Sequence, residues 1–230
     1  MALFAIADLH LSFGTDKPMD DFNGWDNYTE RLEENWQLML TEEDTTVIAG
    51  DISWGMTLEG ARADFAFLDA LPGTKIIVKG NHDYWWDTRR KIELFWKSCG
   101  FTTLKLLHNN CIPIGESIAV CGTRGWFFDA ESYSSRKILL REVGRLTKSI
   151  QSAVRLGRKP IVFLHYPPIY ADAVCEEIWD VLKEYQIDRV YYGHIHGSGI
   201  RRAVTGKTEG MALRLISGDS LGFMPLFVEN

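Results

Sequence analysis

Short, almost entirely apolar segments recur along the chain and mark the predicted strands. They are rich in β-branched residues and continuous rather than alternating, which is typical of sheet strands that are covered on both faces. The last part of the chain carries three such segments in close succession and is therefore predicted to be mostly strand. The predicted strands are 2–7, 45–50, 75–80, 117–122, 161–165, 188–193, 200–205, 211–217 and 223–229.

Segments with helical periodicity lie between several of these strands. The first begins with a capping-box pattern at Asn27 and Glu30. Residues 205–210 predict a hairpin turn, and the stretch 11–28 is longer than an ordinary connection, which indicates a functional loop. The alternation of strands and helices predicts one layered α/β domain over residues 1–230. The predicted helices are 27–40, 57–71, 134–156 and 173–184.

Composition narrows the class of protein. The 230 residues are 46% hydrophobic and carry a net charge of −6, which argues against a general binder of nucleic acid or membrane surfaces. Four cysteines form no C-x-x-C pair, as expected for reduced thiols in a cytosol. The chain shows neither a signal-peptide pattern nor an apolar run of about 20 residues. These features predict a soluble, cytoplasmic protein.

Polar side chains follow five predicted strands at their carboxyl ends, where ligands bind in α/β sheets. Five of the six histidines fall in these groups, and only His108 stands outside them. The i, i+2 spacing of Asp8 and His10 points both side chains to the same side of an extended chain. The groups are Asp8-Leu9-His10, Gly50-Asp51, Gly80-Asn81-His82-Asp83, His165 and Gly193-His194-Ile195-His196.

Carboxylate, imidazole and amide oxygen together form a ligand set suited to Mn, Fe or Zn. The candidates are too many for one tetrahedral ion, but they suffice for two octahedral-like sites that share a carboxylate. Two ions about 3.5–4 Å apart are the arrangement of two-metal hydrolysis. The seven candidate ligands are Asp8, His10, Asp51, Asn81, His165, His194 and His196.

The ordered series D-x-H, GD, GNHD, H and GHxH resembles the calcineurin-like metallophosphoesterases, and its motifs span residues 8–196. The resemblance implies a four-layer αββα sandwich, with two mixed β-sheets flanked by helices. It also implies that Asp51 bridges two divalent ions. One ion would be held by Asp8, His10, Asp51 and His196, and the other by Asp51, Asn81, His165 and His194.

The same resemblance keeps His82 off the ions and assigns it to the substrate or the leaving group. A carboxylate beside a histidine fixes the orientation of its ring, so we expect Asp83 to be such a partner. The implied function is a dinuclear phosphohydrolase that cleaves phosphomonoesters or phosphodiesters by in-line attack of a metal-bridging hydroxide. The substrate is a phosphate ester, with nucleotide-like esters among the candidates.

Residues near the motifs leave alternatives open. Trp54 and Trp85 lie a few residues beyond strand ends and are candidates to contact the substrate, but packing between loop and helix is the favoured reading. Arg124 ends a predicted strand and would meet either a substrate phosphate or a structural ion-pair partner. Asp219 is expected to be a structural residue near the site.

Two other functions compete with phosphoester hydrolysis. A non-catalytic, protein-binding scaffold can use the same fold, but such scaffolds lose ligands or the GNHD histidine, and this chain retains them. The basic segment 136–159 would suit a nuclease, although a solvated helix face explains it better.

Overall fold

The structure is a computed structural model, and it describes residues 1–126 and 133–230. In chain order the strands are β1 (Leu3–Ile6), β2 (Thr45–Ala49), β3 (Thr74–Val78), β4 (Leu104–Leu106), β5 (Ile112–Ile114), β6 (Ile118–Thr123), β7 (Lys159–Leu164), β8 (Ile169–Tyr170), β9 (Ala173–Val174), β10 (Arg189–Tyr192), β11 (Gly206–Thr208), β12 (Met211–Leu215) and β13 (Leu226–Glu229). The helices are α1 (Tyr28–Met39), α2 (Arg62–Ala70), α3 (Arg89–Cys99), α4 (Tyr133–Arg155) and α5 (Glu176–Glu184), with 3₁₀ helices at Gly197–Arg202 and Asp219–Leu221.

Most strands belong to one of two sheets. The first has the order β13-β1-β2-β3-β4, and the second has the order β11-β12-β10-β7-β6-β5. In the first sheet β1 to β4 run parallel and β13 is antiparallel. In the second sheet β6, β7, β10 and β12 run parallel, and the edge strands β5 and β11 are antiparallel. Both sheets are therefore mixed.

Side chains alternate along the strands and build three apolar layers. In β1, Leu3 belongs to the core between the two sheets, whereas Phe4 belongs to the core that α1, α2 and α3 cover. In β7, Ile161 faces the first sheet, and Val162 belongs to the core beneath α4 and α5. The layers follow the order helix, sheet, sheet, helix, which confirms the predicted αββα fold. This burial on both faces explains why the strand segments are continuous apolar runs.

Helix α3 escaped the sequence analysis. It begins after Thr88, whose side chain accepts a hydrogen bond from the Lys91 N–H, and ends at Gly100 in the left-handed conformation. Its apolar stripe has only two buried residues, Ile92 and Trp96, among charged neighbours. A stripe this narrow leaves a weak periodic signal.

Two local predictions were wrong. Residues 200–205 do not form a strand, because Gly197 (φ 53°) turns the chain into a 3₁₀ helix. The hairpin turn within 205–210 is confirmed, with positive φ at Glu209 and Gly210 between β11 and β12. Asn27 does not cap α1, since it is left-handed (φ 47°) and its side chain makes no capping hydrogen bond.

The basic segment 136–159 lies mostly on α4, and several of its cations have acidic partners. Arg136 lies 3.5 Å from the Glu177 carboxylate, and Arg145 lies 2.6 Å from the Glu142 carboxylate. These pairs support the interpretation of a solvated helix face. No helix in the described ranges is both long and apolar enough to cross a membrane.

Candidate metal centre

The predicted ligand residues meet at one edge of the sandwich. Asp8, Asp51 and Asn81 follow parallel strands of the first sheet, and His165 and His194 follow parallel strands of the second. The carboxyl ends of parallel strands lie at the same edge of a sheet. The two sheets are joined near this edge, where β1 extends into a bridge between residues 7 and 217. The sheets thereby bring together residues that are far apart in the chain.

Two triads of potential ligand atoms lie at this edge. Within each triad the atoms are within 4.8 Å of one another, and each triad draws on both sheets. The triads are Asp8, His10 and His196 in one and Asp51, His165 and His194 in the other.

Asp51 belongs to the second triad and also faces the first. Its Oδ2 is 3.8 Å from His10 Nε2 and 3.5 Å from His165 Nε2. Asn81 joins the second triad, because its Oδ1 lies 2.6 Å from His165 Nε2. All seven predicted ligands are thus brought together, and Asp51 is within 4 Å of one histidine from each triad.

The backbone at these residues is strained. Four of the ligand candidates have φ in the left-handed region, which costs a side chain of this kind about 1–3 kcal/mol. Strain of this size persists only where the surrounding structure imposes it, and here the Asp8 N–H donates to Gly50 O at 2.9 Å and the His10 N–H to Asp51 O at 2.9 Å. The four are Asp8 (59°), His10 (45°), Asp51 (50°) and His194 (72°).

Glycines make room for the carboxylates. A Cβ atom on Gly80 would overlap the Asp51 carboxylate, and a Cβ on Gly193 would overlap the carboxylate of Asp8. Gly80, the glycine of the GN motif, therefore packs directly against Asp51, the aspartate of the GD motif. Gly193, the glycine of the GH motif that follows a strand of the second sheet, packs against Asp8, which follows a strand of the first sheet.

Two imidazole nitrogens at this edge, His10 Nδ1 and His196 Nε2, are buried without a hydrogen-bond partner in the described chain. His196 Nε2 lies 3.4 Å from Asp8 Oδ1 in an ion-pair contact. A buried polar atom without a hydrogen-bond partner costs about 1–3 kcal/mol. A bound cation would satisfy an imidazole lone pair, and the residues present therefore fit a divalent metal.

Two histidines are held by contacts on their other nitrogen. His196 Nδ1 lies 3.0 Å from Asp219 Oδ1, whose other oxygen accepts a hydrogen bond from the Gly197 N–H. His165 Nδ1 lies 3.1 Å from the Ala49 carbonyl oxygen. Contacts of this kind select the tautomer and leave Nε2 directed at the ligand atoms.

The electrostatics of the protein without metal are unfavourable to two carboxylates at this edge. Burial and the charge of Asp8 raise the pKa of Asp51 to about 8. Burial alone would also raise the pKa of Asp8, but His196 and His165 hold it well below its usual range. Burial lowers the pKa of His10 to about 3, which keeps this imidazole neutral and able to coordinate an ion. Two buried carboxylates beside the neutral imidazole of His10 form a natural cation site.

The role expected for Asp83 needs correction. Its carboxylate does not contact a histidine ring in the described chain. It accepts hydrogen bonds from the N–H groups of Gly80 (2.6 Å), Ile52 (2.8 Å) and Asp51 (3.0 Å), and from the Trp85 indole (2.9 Å). Asp83 therefore ties the loop after β3 to the loop after β2 and positions Asp51 through its backbone.

His82 lies beside the triads without belonging to either. Its backbone N–H donates to Asp51 Oδ1 at 2.7 Å, and its ring centroid is 4.7 Å from Trp54 and 5.7 Å from His10. The Tyr84 hydroxyl lies 3.4 Å from its Nδ1. Burial and the neighbouring His165 lower the pKa of His82. The ring is thus placed at the rim of the centre and is partly open to solvent.

The three candidate substrate residues occupy different surroundings. Trp54 stacks on His10 at 4.9 Å and therefore lies at the site. Trp85 is only 2% exposed and donates to Asp83, so its prediction as a substrate contact was wrong and packing explains it. Arg124 lies 3.9 Å from the buried Glu142, which supports the ion-pair alternative.

The long loop 11–28 contributes residues that the sequence analysis did not single out. The Lys17 amine lies 4.3 Å above the Trp54 ring. Trp25 is buried and lies 5.8 Å from His10 and 5.7 Å from His196, between ring centroids. Only the length of this loop indicated a functional role.

Comparisons with known proteins give a matching family model and a relative that matches part of the chain. A family model described as calcineurin-like phosphoesterase matches residues 1–198. A probable cyclic nucleotide phosphodiesterase of Xenorhabdus bovienii is 31% identical over 84 residues, which cover 36% of this chain and 34% of that protein. The match thus spans about a third of the length of that relative.

Two solved structures share the fold. A protein of unknown function from Aquifex aeolicus has a TM-score of 0.50 at 15% identity, with 98% of this chain and 95% of that chain covered. A protein from Thermus thermophilus has a TM-score of 0.57 at 12% identity, with 92% and 86% covered. Identities this low bear on the fold alone.

Proposed function

Since the chain belongs to the calcineurin-like phosphoesterase family, we propose that it hydrolyses phosphoester bonds with the help of two divalent ions. The observation that carries the proposal is the pair of neighbouring ligand triads, with Asp51 in one of them and 3.8 Å from His10 of the other. His10 supports it, because its imidazole is neutral and its buried Nδ1 has no hydrogen-bond partner among the described residues. Mn, Fe and Zn all suit these ligands.

The seven ligand candidates have distinct tasks in this proposal. Asp8, His10 and His196 would hold one ion, and Asn81, His165 and His194 the other, with Asp51 shared between them. When bound, the ions supply the Lewis acidity that activates water and neutralises the charge of the phosphoryl group. Asp219 and the Ala49 carbonyl orient two of the imidazoles towards the ions.

His82 is the proposed group that acts on the leaving oxygen. It stands at the rim of the centre, partly open to solvent, and its backbone is fixed by Asp51. An anionic phosphoryl group beside the ring would favour its protonated form, although burial disfavours that form in the free protein. A protonated His82 can then donate to the departing oxygen as a general acid.

Phosphodiesters are the substrate class that we favour. The relative from Xenorhabdus bovienii is named a probable cyclic nucleotide phosphodiesterase, and the similarity to it supports a diester. A diester needs room for two substituents around phosphorus, and the centre is flanked by Trp54 on one side and by an open cleft at His196 on the other.

Metal reconstitution combined with a substrate panel tests the proposal. The purified chain is stripped with a chelator and reloaded with Mn, Fe or Zn, and bound metal is counted. We expect about two ions per chain and hydrolysis of methyl p-nitrophenyl phosphate, a diester, with slower hydrolysis of p-nitrophenyl phosphate. A metal-loaded protein that cleaves no mono- or diester would favour the non-catalytic scaffold. A single ion bound among all seven side chains would contradict the shared site.

A further inference from the structure

A cleft of about 650 Å³ opens directly beside the candidate metal centre. One wall is the turn at residues 22–25 of the long loop, and the other is the 3₁₀ helix Gly197–Arg202. His196, a candidate ligand, lies at the junction between the cleft and the centre. The side chains that matter for binding are Phe22, Asn23, Trp25, Ser198 and Arg201.

We propose that this cleft binds the nucleoside part of a nucleotide ester whose phosphorus lies at the metal centre. The inference rests on the proposed phosphoesterase function and names its substrate class. A volume of about 650 Å³ lies in the range of roughly 300–1,000 Å³ that small-molecule sites occupy. A nucleoside in the cleft would be attached to a phosphoryl group next to His196.

Phe22 offers a flat apolar surface on which a base can stack. Its side chain is 57% exposed, although the backbone around it is ordered by a turn in which the Trp25 N–H donates to Phe22 O at 3.0 Å. Trp25 closes the inner end of the same wall, where it is buried against His10 and His196. An aromatic face held by a fixed turn is the sequence-tolerant platform on which bases stack in proteins.

Three polar side chains in the cleft have no partner within the described chain. Asn23, Ser198 and Arg201 are exposed, and none of their side chains takes part in a hydrogen bond or ion pair with a described residue. The Asn23 amide carries both donors and an acceptor, which suits the edge of a base. The Arg201 guanidinium presents a fork of donors that matches base acceptors or a phosphate.

The neighbouring Arg202 differs from Arg201 in what its side chain contacts. Arg202 follows Arg201 in the same 3₁₀ helix, but its guanidinium packs over the Tyr170 ring at 5.5 Å and it does not line the cleft. Arg201 and Arg202 therefore share charge and chain location and differ in what they face. This pair supplies a matched control.

Phe13 supplies the matched control for Phe22. Both phenylalanines belong to the long loop and are about half exposed, at 50% and 57%. The Phe13 ring packs against Phe67 at 5.0 Å between centroids, and Phe13 lies outside the cleft.

The test uses two diesters with the same leaving group on the metal-loaded, full-length chain. Thymidine 5′-(p-nitrophenyl phosphate) carries a nucleoside, and methyl p-nitrophenyl phosphate carries a methyl group in its place. We expect Phe22→Ala to lower kcat/KM for the nucleoside ester by roughly 5- to 100-fold, since base stacking on one aromatic ring is of that strength. The methyl ester should change by less than about twofold. Arg201→Ala should act in the same direction, and Phe13→Ala and Arg202→Ala should change neither substrate.

The outcomes distinguish failure of the cleft proposal from failure of the proposed phosphoesterase function. If Phe22→Ala and Arg201→Ala affect both diesters equally while activity persists, the cleft proposal is overturned and the proposed function stands. If neither diester is cleaved, the proposed function fails, and calorimetric binding of thymidine 5′-monophosphate to the metal-loaded chain then decides the cleft. Binding that Phe22→Ala weakens and Phe13→Ala does not would support the nucleoside site, and absence of binding would overturn it.

Discussion

The two ends of the parallel strands hold buried charged residues in opposite ways. At the amino ends, Asp44 accepts hydrogen bonds from the Ala2 N–H (2.6 Å) and from Thr41, and the fully buried Lys75 donates to Gly73 O (2.7 Å) and Thr103 Oγ1 (3.0 Å). At the carboxyl ends, His10 and His196 keep unpaired ring nitrogens, and the backbone there is strained.

The difference shows how a structural charge can be distinguished from a functional one. A buried charge whose hydrogen bonds are complete stabilises the fold, and its partners are all protein groups. A buried group that lacks a partner destabilises the fold until a ligand supplies one. Burial alone does not separate Asp44 from His10, but the inventory of their hydrogen-bond partners does.

The largest effect is expected from Asp51→Asn, because Asp51 belongs to one triad and faces the other. Loss of its charge should weaken binding of both ions by more than the roughly 100-fold typical of residues that only orient a ligand, and turnover should fall to background. Metal analysis and kcat measure the two effects. Asp180→Asn, an exposed carboxylate on α5, is the control. Full occupancy in Asp51→Asn would disprove the ligand assignment.

His82→Ala should separate metal binding from chemistry. Both ions should remain bound, since His82 belongs to neither triad, and kcat should fall by about 10²- to 10⁴-fold, as for the loss of one positioned acid–base group. The defect should shrink for an ester of p-nitrophenol, whose departure needs little protonation. An equal defect for good and poor leaving groups would refute the general-acid role, and loss of metal would refute the whole assignment.

Asp219→Asn should weaken the ion at one triad only. Asp219 contacts His196 and orients it, so its neutralisation should lower metal affinity there by about 10- to 100-fold. The second ion should bind as before, and titration with metal would then show two separated steps. Ser220→Ala, which removes a hydroxyl that donates to the Ser217 carbonyl, is the matched control. Parallel weakening at both sites would show that the triads do not bind independently.

The stability of the metal-free protein should depend on pH through Asp51 and His196 at the carboxyl ends of the strands. The pKa of Asp51 is about 8, and the pKa of His196 is about 10 because the charge of Asp8 and the contact with Asp219 outweigh burial. Both pKa values lie above the ordinary 3.8 and 6.5, whereas the histidines with lowered pKa values are almost neutral in both states above about pH 7.5. Between about pH 7.5 and 8 the folded state therefore holds more protons than the unfolded state. The free energy of unfolding should therefore fall as the pH rises through this window.

Thermal denaturation at a series of pH values measures this fall, and bound metal should abolish it, because cations then replace the protons. A metal-free protein that gained stability from about pH 7.5 to 8 would contradict these shifts.

The smallest effect on activity is expected at the amino ends. Asp44→Ala leaves the N–H groups of Ala2 and Thr41 without their acceptor, so the free energy of unfolding should drop by about 1–3 kcal/mol. Metal content and kcat/KM should not change, and chemical denaturation with parallel assays would show this. A loss of bound metal would mean that the two ends of the strands are not independent.

The sequence predicted the centre well because its ligands sit in short motifs at strand ends. Strand type and direction place such motifs at one edge without any knowledge of side-chain detail. Asp83 was assigned wrongly because its partners depend on the spacing between the loops after β2 and β3. That spacing is a property of the packed chain, and no local pattern encodes it.

Other contributions became visible only in three dimensions. Phe22 and Arg201 are about 180 residues apart in the sequence and meet across the cleft only after both sheets have formed. Asp219 was expected to be a structural residue near the site, but its contact with His196 depends on the 3₁₀ helix that begins at Asp219.

The distribution of each triad over both sheets has a consequence for how the protein is made. The first candidate ligand is Asp8 and the last is His196, so a growing chain exposes Asp8, His10 and Asp51 long before the histidines of the second sheet exist. Neither ion can be bound by all of its ligands until the second sheet is synthesised and packed against the first. Metal loading should therefore be a late event of biosynthesis, and a nascent chain released before residue 194 should carry no stably bound ion.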